Sequence, residues 1–298
     1  MAVGRFAPSP SGALHLGNLR TALLAWLFAR AEGSRFLLRV EDLDPGTSSA
    51  EHEAGQLADL VALGLDWDEP VVRQSERRAE HEAALSELVA GGLTYPCFCS
   101  RREVREASAA PHVLPGTYPG TCRHLSADEA AARVASGRPA ALRLRASGKS
   151  VTIVDRLRGA ITRPADDIVL RRNDGVPAYH VAVVVDDADQ GVEEVVRGDD
   201  LLPATPSQAH LLDLLGRPRP TWAHVPLVLG PDGERLAKRH GAVTLADLAI
   251  IGVDAATVRT RLAASLGLAA PDEPVSMHQL LDRFDPTAVP TTPWLMVD

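Results

Sequence analysis

The amino-acid sequence predicts an α/β protein with a parallel, doubly wound β-sheet that is interrupted by an insertion. Short apolar runs alternate with amphipathic stretches, as strands alternate with helices in such a sheet. The run at 36–40 is apolar apart from Arg39, which is typical of a strand covered on both faces. Between residues 95 and 138 cysteines, prolines and glycines replace this pattern. We therefore expect two halves of one sheet, one on each side of an inserted segment.

The first half is expected to place polar residues where its strands end. The first strand breaks at Pro8-Ser9-Pro10-Ser11-Gly12, and the second stops at Glu41-Asp42-Leu43-Asp44. Ligands of parallel sheets bind beyond the carboxyl ends of the strands. The expected elements, in order, are strand 3–7, helix 18–32, strand 36–40, a helix from Ser48, which has capping-box spacing to Glu51, to about residue 63, and helix 76–90.

The second half resumes after the inserted segment. The insertion is expected to contain one alanine-rich helix near 128–135, and the α/β pattern to return at 179–185 and 194–197. The remaining elements are strands 141–145, 151–154 and 160–163, helix 203–215, an apolar run at 225–229 and a mostly helical end.

Composition excludes several classes of protein. Of the 298 residues, 45% are apolar and 23% are charged, the balance of a soluble globular chain. The longest apolar stretch, 19–31, is too short for a bilayer span, and the N-terminus has no signal-peptide core, so we expect a cytoplasmic protein without membrane contact. The net charge of −8 means that any RNA contact must be local. A basic stretch is either an RNA face or a solvated sheet surface; it contains Arg138, Arg143, Arg145, Arg156, Arg158, Arg163, Arg171 and Arg172.

Two polar loops have features of a nucleotide site. In the first, His15, Gly17 and Asn18 lie at a helix N-terminus, whose free N–H groups attract anions. Gly17 leaves room for a flat base, and His15 can donate a hydrogen bond to a phosphate. The second loop, 233–241, is basic with glycine at both ends, and its Lys238 is one of only two lysines in the chain. Each loop taken alone is more typical of a capped helix start or a solvated turn.

Together, the two loops resemble the paired signature sequences of class I aminoacyl-tRNA synthetases. Further segments are similar to the glutamyl subclass of that family, namely 4–12 (GRFAPSPSG), 39–44 (RVEDLD) and 196–202 (VRGDDLL). The similarity covers most of residues 3–245. It implies a Rossmann-type sheet split by a zinc-bearing insertion, followed by a short, mostly helical C-terminal region and no anticodon-binding domain.

The resemblance implies that the protein activates glutamate with ATP and Mg²⁺. In that reaction the α-carboxylate attacks the α-phosphate, so catalysis consists of positioning and charge neutralisation. His15 and Lys238 are the expected catalytic residues, and ATP is expected to contact His15, Gly17, Asn18 and Lys238. The family's amino-acid pocket maps onto Arg5, Phe6, Ala7, Pro8, Ser9, Glu41, Tyr179 and Arg197. Two positions depart from the signatures: Asn18 replaces a histidine, and Ala237 replaces a serine and puts one phosphate contact in doubt.

The cysteines indicate a metal site in the insertion. All three lie between positions 97 and 122, an odd and tightly spaced set that does not suit a disulfide framework. Cys97, Cys99 and Cys122 with Tyr118 offer three thiolates and one phenolate to a tetrahedral Zn²⁺. The arrangement is similar to a site in some members of the glutamyl subclass, which implies a structural Zn²⁺ that shapes the insertion for RNA. Unligated buried thiols are the alternative, and His124 is the substitute for Tyr118.

Chain length bears on the choice of RNA. A compact chain of this size has a radius of gyration of ~19 Å, too small to hold both ends of one tRNA. The shortened form, with Pro293-Trp294-Leu295, is similar to a branch of the subclass that transfers glutamate to queuosine in the anticodon loop of tRNA(Asp). Its implied partners are glutamate, ATP and the tRNA(Asp) anticodon stem-loop, bound by a monomer.

Two other functions stay open at this point. One is a shortened synthetase that charges the acceptor end of tRNA(Glu), and the other is a catalytically inactive, zinc-bearing RNA-binding paralogue. The expected domains are 1–94 and 166–240 for the two catalytic halves, 95–165 for the insertion with the zinc site and acceptor-binding strands, and 241–298 for the helical C-terminal remnant.

Overall fold

The α/β alternation expected from the sequence is present in the computed structural model, which describes residues 3–108, 117–236, 241 and 243–296. The helices in these residues are α1 Leu16–Ala31, α2 Ala50–Leu63, α3 Arg78–Ala90, α4 Arg101–Ser108, α5 Ala127–Ala135, α6 Tyr179–Asp189, α7 Thr205–Leu214, α8 Leu245–Ile250, α9 Ala255–Ser265 and α10 Met277–Arg283. The strands are β1 Val3–Phe6, β2 Phe36–Val40, β3 Val72–Arg73, β4 Thr94–Cys97, β5 Ala141–Leu144, β6 Ser150–Asp155, β7 Gly159–Pro164, β8 Val169–Arg171, β9 Val192–Gly198, β10 Thr221–Val225, β11 Val228–Leu229 and β12 Trp294–Leu295.

The main sheet has the strand order β3-β2-β1-β9-β10-β6-β7. Its neighbours are parallel, except that β7 runs antiparallel to β6. Strand β1 lies between β2, which follows it in the chain, and β9, which comes after the insertion. This is the switch point of a doubly wound sheet, where ligands bind. The predicted fold class is confirmed.

Helix α1 packs directly on this switch point, which requires glycine at position 4. A Cβ atom there would lie 2.9 Å from the Cβ of Ala29, inside van der Waals contact. Most of α1 is buried, and Leu19, Leu24 and Phe28 belong to the main core. The close fit of α1 on β1 fixes the loop between them, which contains His15.

The insertion has its own small sheet and core. Strand β5 pairs antiparallel with both β4 and β8, and the core beneath contains Tyr95, Phe98 and the cysteine cluster. The β6–β7 hairpin instead joins the main sheet through the pair Asp155–Trp222. The division into four domains stays a prediction, to which the structure adds that β6 and β7 continue the main sheet and that β8, which lies beyond the predicted insertion, pairs in the small sheet.

Helix α2 begins one residue later than predicted. Its N-cap is Ser49, whose side chain accepts a hydrogen bond from the backbone N–H of His52 at 3.0 Å. Ser48 belongs to the preceding turn, where its N–H donates to the carbonyl of Asp44. Consecutive serines make the cap ambiguous from sequence alone.

Across the described ranges, every helix is too short or too polar to cross a membrane.

Candidate active site

A cavity of about 610 Å³ opens at the carboxyl ends of β1 and β9. Its size is in the range of small-molecule sites. All residues predicted for the amino-acid pocket line it, as do three of the residues predicted for ATP: Arg5, Phe6, Ala7, Pro8, Ser9, Glu41, Tyr179 and Arg197, with His15, Gly17 and Asn18. The structure therefore brings together side chains that lie almost two hundred residues apart in sequence.

Arg5 is a buried guanidinium group that already has a carboxylate partner. Its Nε and Nη2 donate to Asp187 at 3.2 and 3.4 Å, and Nη1 donates to the carbonyl of Val196. Arg39 also donates to Asp187, at 2.7 Å. Burial alone would raise the pKa of the Asp187 carboxyl, but the two arginines hold it below its usual value. Asp187 thus stays ionised and fixes Arg5 at the cavity wall.

Arg197 is equally buried, but its hydrogen-bond partners among the described residues are neutral. Nη2 donates to Thr205 Oγ1 at 2.8 Å and to Gln208 Oε1 at 2.7 Å, and Nε donates to His224 Nε2 at 3.1 Å. Burial lowers the pKa of Arg197. Asp187 also acts on it electrostatically, but that carboxylate is already paired with two arginines. An anion entering the cavity would therefore neutralise Arg197.

Glu41 supplies a carboxylate on the same wall, just beyond β2. Its side chain is only 10% exposed, and Arg39 Nη2 lies 3.5 Å from Oε1. Burial raises the pKa of Glu41, and Arg39 and Arg5 oppose that shift. A ligand ammonium group would add a further favourable partner. The cavity thus offers two guanidinium groups and one carboxylate, the set that a dicarboxylic amino acid needs.

His15 caps α1 with a defined tautomer. Its Nδ1 accepts from the backbone N–H of Asn18 at 3.2 Å, and the Asn18 side chain accepts from the N–H of His15 at 3.1 Å. Burial and nearby Arg235 lower the pKa of His15, so the ring is neutral and carries its proton on Nε2. A Cβ at Gly17 would lie 2.9 Å from the His15 ring, which is why glycine is needed there. This arrangement leaves Nε2–H as a donor for a phosphate.

The flanks of the second signature loop lie against the first. The N–H of Leu16 donates to the carbonyl of Val243 at 2.9 Å, and Arg235 lines the cavity. Lys238 and Ala237 lie outside the described residues, so their roles stay predictions. The segments on both sides of them nevertheless reach the loop that contains His15.

The cysteine cluster has the dimensions of a tetrahedral metal site. The three sulfur atoms lie within 4.8 Å of one another, with 3.6 Å between Cys99 and Cys122. The Tyr118 oxygen lies 3.3 Å from the sulfur of Cys97 and 3.6 Å from that of Cys99. Ligands around Zn²⁺ stand about 3.5–3.8 Å apart. His124 is exposed and is not part of the cluster, whereas the Tyr118 oxygen lies next to two of its sulfur atoms.

Burial of the cluster has an electrostatic consequence. It raises the pKa of the Cys99 thiol to about 11, and it raises the pKa of the Tyr118 phenol as well. A divalent cation would reverse both shifts, because metal ligation requires the deprotonated forms. The cluster could therefore hold a metal ion, and the residues present fit one.

Sequence reasoning missed the residues that hold the two arginines in place. Asp187 supports Arg5, while His224 and Asp155 lie behind Arg197. Asp187 and His224 are polar residues within buried apolar elements, as Arg39 is, whereas Asp155 ends a strand whose residues are alternately exposed and buried.

The basic stretch is largely neutralised within the chain. Five of its arginines form ion pairs with carboxylates of the protein, and Arg143 packs on the ring of Tyr118, 3.7 Å from its centre. The paired ones are Arg138, Arg156, Arg158, Arg171 and Arg172. Charge clustering in sequence alone therefore does not define an RNA face here.

The comparison with known proteins identifies the family of the chain. Residues 1–295 match the family model for the catalytic domain of class I tRNA synthetases (E and Q). A glutamyl-Q tRNA(Asp) synthetase of Nocardia farcinica is 61% identical over 99% of this chain and 93% of its own length. A glutamate–tRNA ligase of Aquifex aeolicus is 43% identical over 81% of this chain and 52% of its own length.

A solved structure gives the same result. A glutamate tRNA ligase from Elizabethkingia meningosepticum, in complex with its amino acid, superimposes with a TM-score of 0.84 at 28% identity. The match covers 99% of this chain, which spans 66% of that one. The chain belongs to the class I tRNA synthetases of the glutamyl and glutaminyl catalytic-domain family, a family of ligases, and within it to the group of the glutamyl-Q tRNA(Asp) synthetases.

Proposed function

We propose that the protein activates glutamate with ATP without needing tRNA, and that it then transfers the glutamyl group to queuosine in the anticodon loop of tRNA(Asp). The observation that carries the first step is the buried Arg197, with neutral partners, in one cavity with Arg5 and Glu41. The second step is supported by similarity to relatives named for that reaction, at 61% and 48% identity.

Each charged residue of the cavity is assigned one role in the activation of glutamate. Arg197 binds the side-chain carboxylate of glutamate, Arg5 the α-carboxylate, and Glu41 the ammonium group. An α-carboxylate oxygen attacks the α-phosphorus of ATP, and the bond to the bridging oxygen breaks as pyrophosphate leaves. His15 donates Nε2–H to a phosphate oxygen, and Lys238 supplies a second positive charge. Mg²⁺ bound to the phosphates would neutralise the remaining charge.

The insertion is proposed to contribute shape rather than chemistry. Cys97, Cys99, Cys122 and Tyr118 would hold a Zn²⁺ ion whose role is structural.

In the transfer step a hydroxyl of the queuosine diol attacks the carbonyl carbon of glutamyl-adenylate, AMP leaves and the hydroxyl proton is lost. The insertion is the part of the chain proposed to dock the RNA for this step.

Transfer of labelled glutamate tests the RNA assignment. We expect incorporation into tRNA(Asp) that contains queuosine and none into the same tRNA without it. Periodate treatment of the tRNA terminus should not reduce the signal if the queuosine diol has been protected. Charging of unmodified tRNA(Glu) in place of tRNA(Asp) would establish the shortened-synthetase alternative, which the Aquifex aeolicus relative favours.

The inactive-paralogue alternative has its own test. Glutamate-dependent exchange of pyrophosphate into ATP is expected without any tRNA present. Its complete absence, in protein that is folded and loaded with zinc, would favour the RNA-binding paralogue.

A further inference from the structure

A buried histidine lies directly behind Arg197. His224 in β10 is paired in register with Arg197 in β9, and its side chain is fully buried. Its ring Nδ1 is 2.6 Å from Oδ2 of Asp155, and its backbone N–H donates to the same oxygen at 3.0 Å. The three residues thus connect β6, β10 and β9 by side chains.

The carboxylate decides where the histidine carries its proton. Asp155 also accepts from the backbone N–H groups of Leu157 and Arg158, each at 2.9 Å. Burial alone would raise the pKa of Asp155, but the donors, His224 first, hold it below its usual value. An ionised carboxylate can only accept, so Nδ1 of His224 is protonated and Nε2 keeps its lone pair. That lone pair faces Nε–H of Arg197 at 3.1 Å.

The hydroxyl of Thr205 contacts both residues. It accepts from Arg197 Nη2 at 2.8 Å, and it lies 3.2 Å from the carbonyl of Leu201 and 3.0 Å from Nε2 of His224, either of which can accept its proton. Two neutral acceptors therefore hold one edge of the guanidinium group. Because neither is anionic, the positive charge of Arg197 stays available to a substrate.

We propose that His224 and Asp155 are positioning residues for glutamate recognition: Asp155 fixes the tautomer of His224, and His224 holds the Arg197 guanidinium at the cavity wall without neutralising it. This inference rests on the proposed function, in which Arg197 binds the side-chain carboxylate. A carboxylate in place of His224 would hold Arg197 as firmly, but it would neutralise the positive charge of Arg197. Glutamine, which has no side-chain charge, would then be harder to exclude.

A pH dependence follows from the groups that face His224. These are Asp155 from β6, Arg197 from β9 and Asp199 from the segment after β9. Burial, reinforced by Arg197, lowers the pKa of His224 although both aspartates oppose it, so the ring is neutral at pH 7. As the pH falls through this lowered pKa, Nε2 of His224 gains a proton. It can then no longer accept from Arg197, and its positive charge repels the guanidinium group. The KM for glutamate should then rise on the acid side, while the KM for ATP should not.

A pair of substitutions separates positioning from simple packing. His224→Gln can place an amide oxygen near the position of Nε2, whereas His224→Asn can reach Asp155 but not Arg197. In ATP–pyrophosphate exchange, His224→Asn is expected to raise the KM for glutamate about 10-fold or more, the order for losing one hydrogen bond to a charged group. His224→Gln should stay within about threefold of wild type. Both should leave the KM for ATP unchanged, and His224→Gln should lose the acid-side rise.

The outcomes are separable. His278→Asn, an exposed histidine on α10, is the matched control and should change nothing. The positioning role would be overturned if His224→Gln and His224→Asn raised the KM for glutamate equally. Parallel changes in the KM for glutamate and the KM for ATP would overturn it as well. A flat wild-type pH profile would overturn it even if His224→Asn did not fold. Absence of exchange in the wild type would instead refute the proposed function.

Discussion

Replacing Arg197 with glutamine is expected to lower kcat/KM for glutamate by about 100-fold to 1,000-fold in ATP–pyrophosphate exchange, the range for losing one member of a buried charged pair. The loss should appear mainly in the KM for glutamate, because Arg197 is proposed to contact the amino acid and not ATP. Discrimination against glutamine should fall as well, since the charge that selects a carboxylate is gone.

The stability of this variant gives an independent check. Within the described part of the chain the hydrogen-bond partners of Arg197 are neutral, so in the free protein its charge is buried with no described carboxylate paired to it. Removing that charge should leave Tm unchanged or higher. Arg5→Gln should behave oppositely, because it leaves Asp187 with one arginine partner fewer in a buried position.

A surface arginine serves as the control. Arg219 forms a partly exposed ion pair with Asp213, and Arg219→Gln should leave both kinetics and Tm nearly unchanged. If Arg197→Gln activates glutamate as well as the control does, Arg197 has no role in binding. If it unfolds while the control does not, the residue is structural.

The candidate site was predicted mainly from the resemblance to the glutamyl subclass, and the local patterns agree with that prediction. Arg5, Glu41 and Arg197 lie at or next to the ends of apolar runs, and parallel strands bring such ends to one edge of a sheet. The partners of these residues could not be found in that way. Arg5 and Asp187 are 182 positions apart, and His224 and Asp155 are 69 apart. No periodicity in a single sequence specifies which buried polar residues will meet.

The departures from the family signature illustrate the same limit. Asn18 replaces a histidine of the signature, and its side-chain oxygen accepts from the backbone N–H of His15 and completes the cap of α1. The membership of β6 in the main sheet was also missed, because it depends on one register pair with β10. Local sequence describes each element, whereas the order of strands depends on contacts across the whole chain.

Replacing Cys99 with serine is expected to abolish transfer of glutamate to tRNA while leaving glutamate-dependent pyrophosphate exchange within about threefold of wild type. The cluster lies in the separate core of the insertion, and the activation cavity is lined by other parts of the chain. Loss of one thiolate should release about one equivalent of Zn²⁺, because a structural site needs all four ligands. Metal analysis should show the missing Zn²⁺, and the Tm of the insertion should be lower. A chelator should cause the same loss of transfer in the wild type.

The fourth ligand can be tested in the same assays. Tyr118→Phe removes the oxygen that lies 3.3 Å from Cys97 and should weaken metal retention, whereas His124→Ala, the matched control at an exposed position, should not. Retention of metal by Tyr118→Phe with loss in His124→Ala would reverse the assignment. A metal-free wild type with full transfer activity would show that the buried thiols act only as packing. If pyrophosphate exchange were lost together with transfer, the core of the insertion would be coupled to the main sheet. The insertion would then also shape the activation cavity.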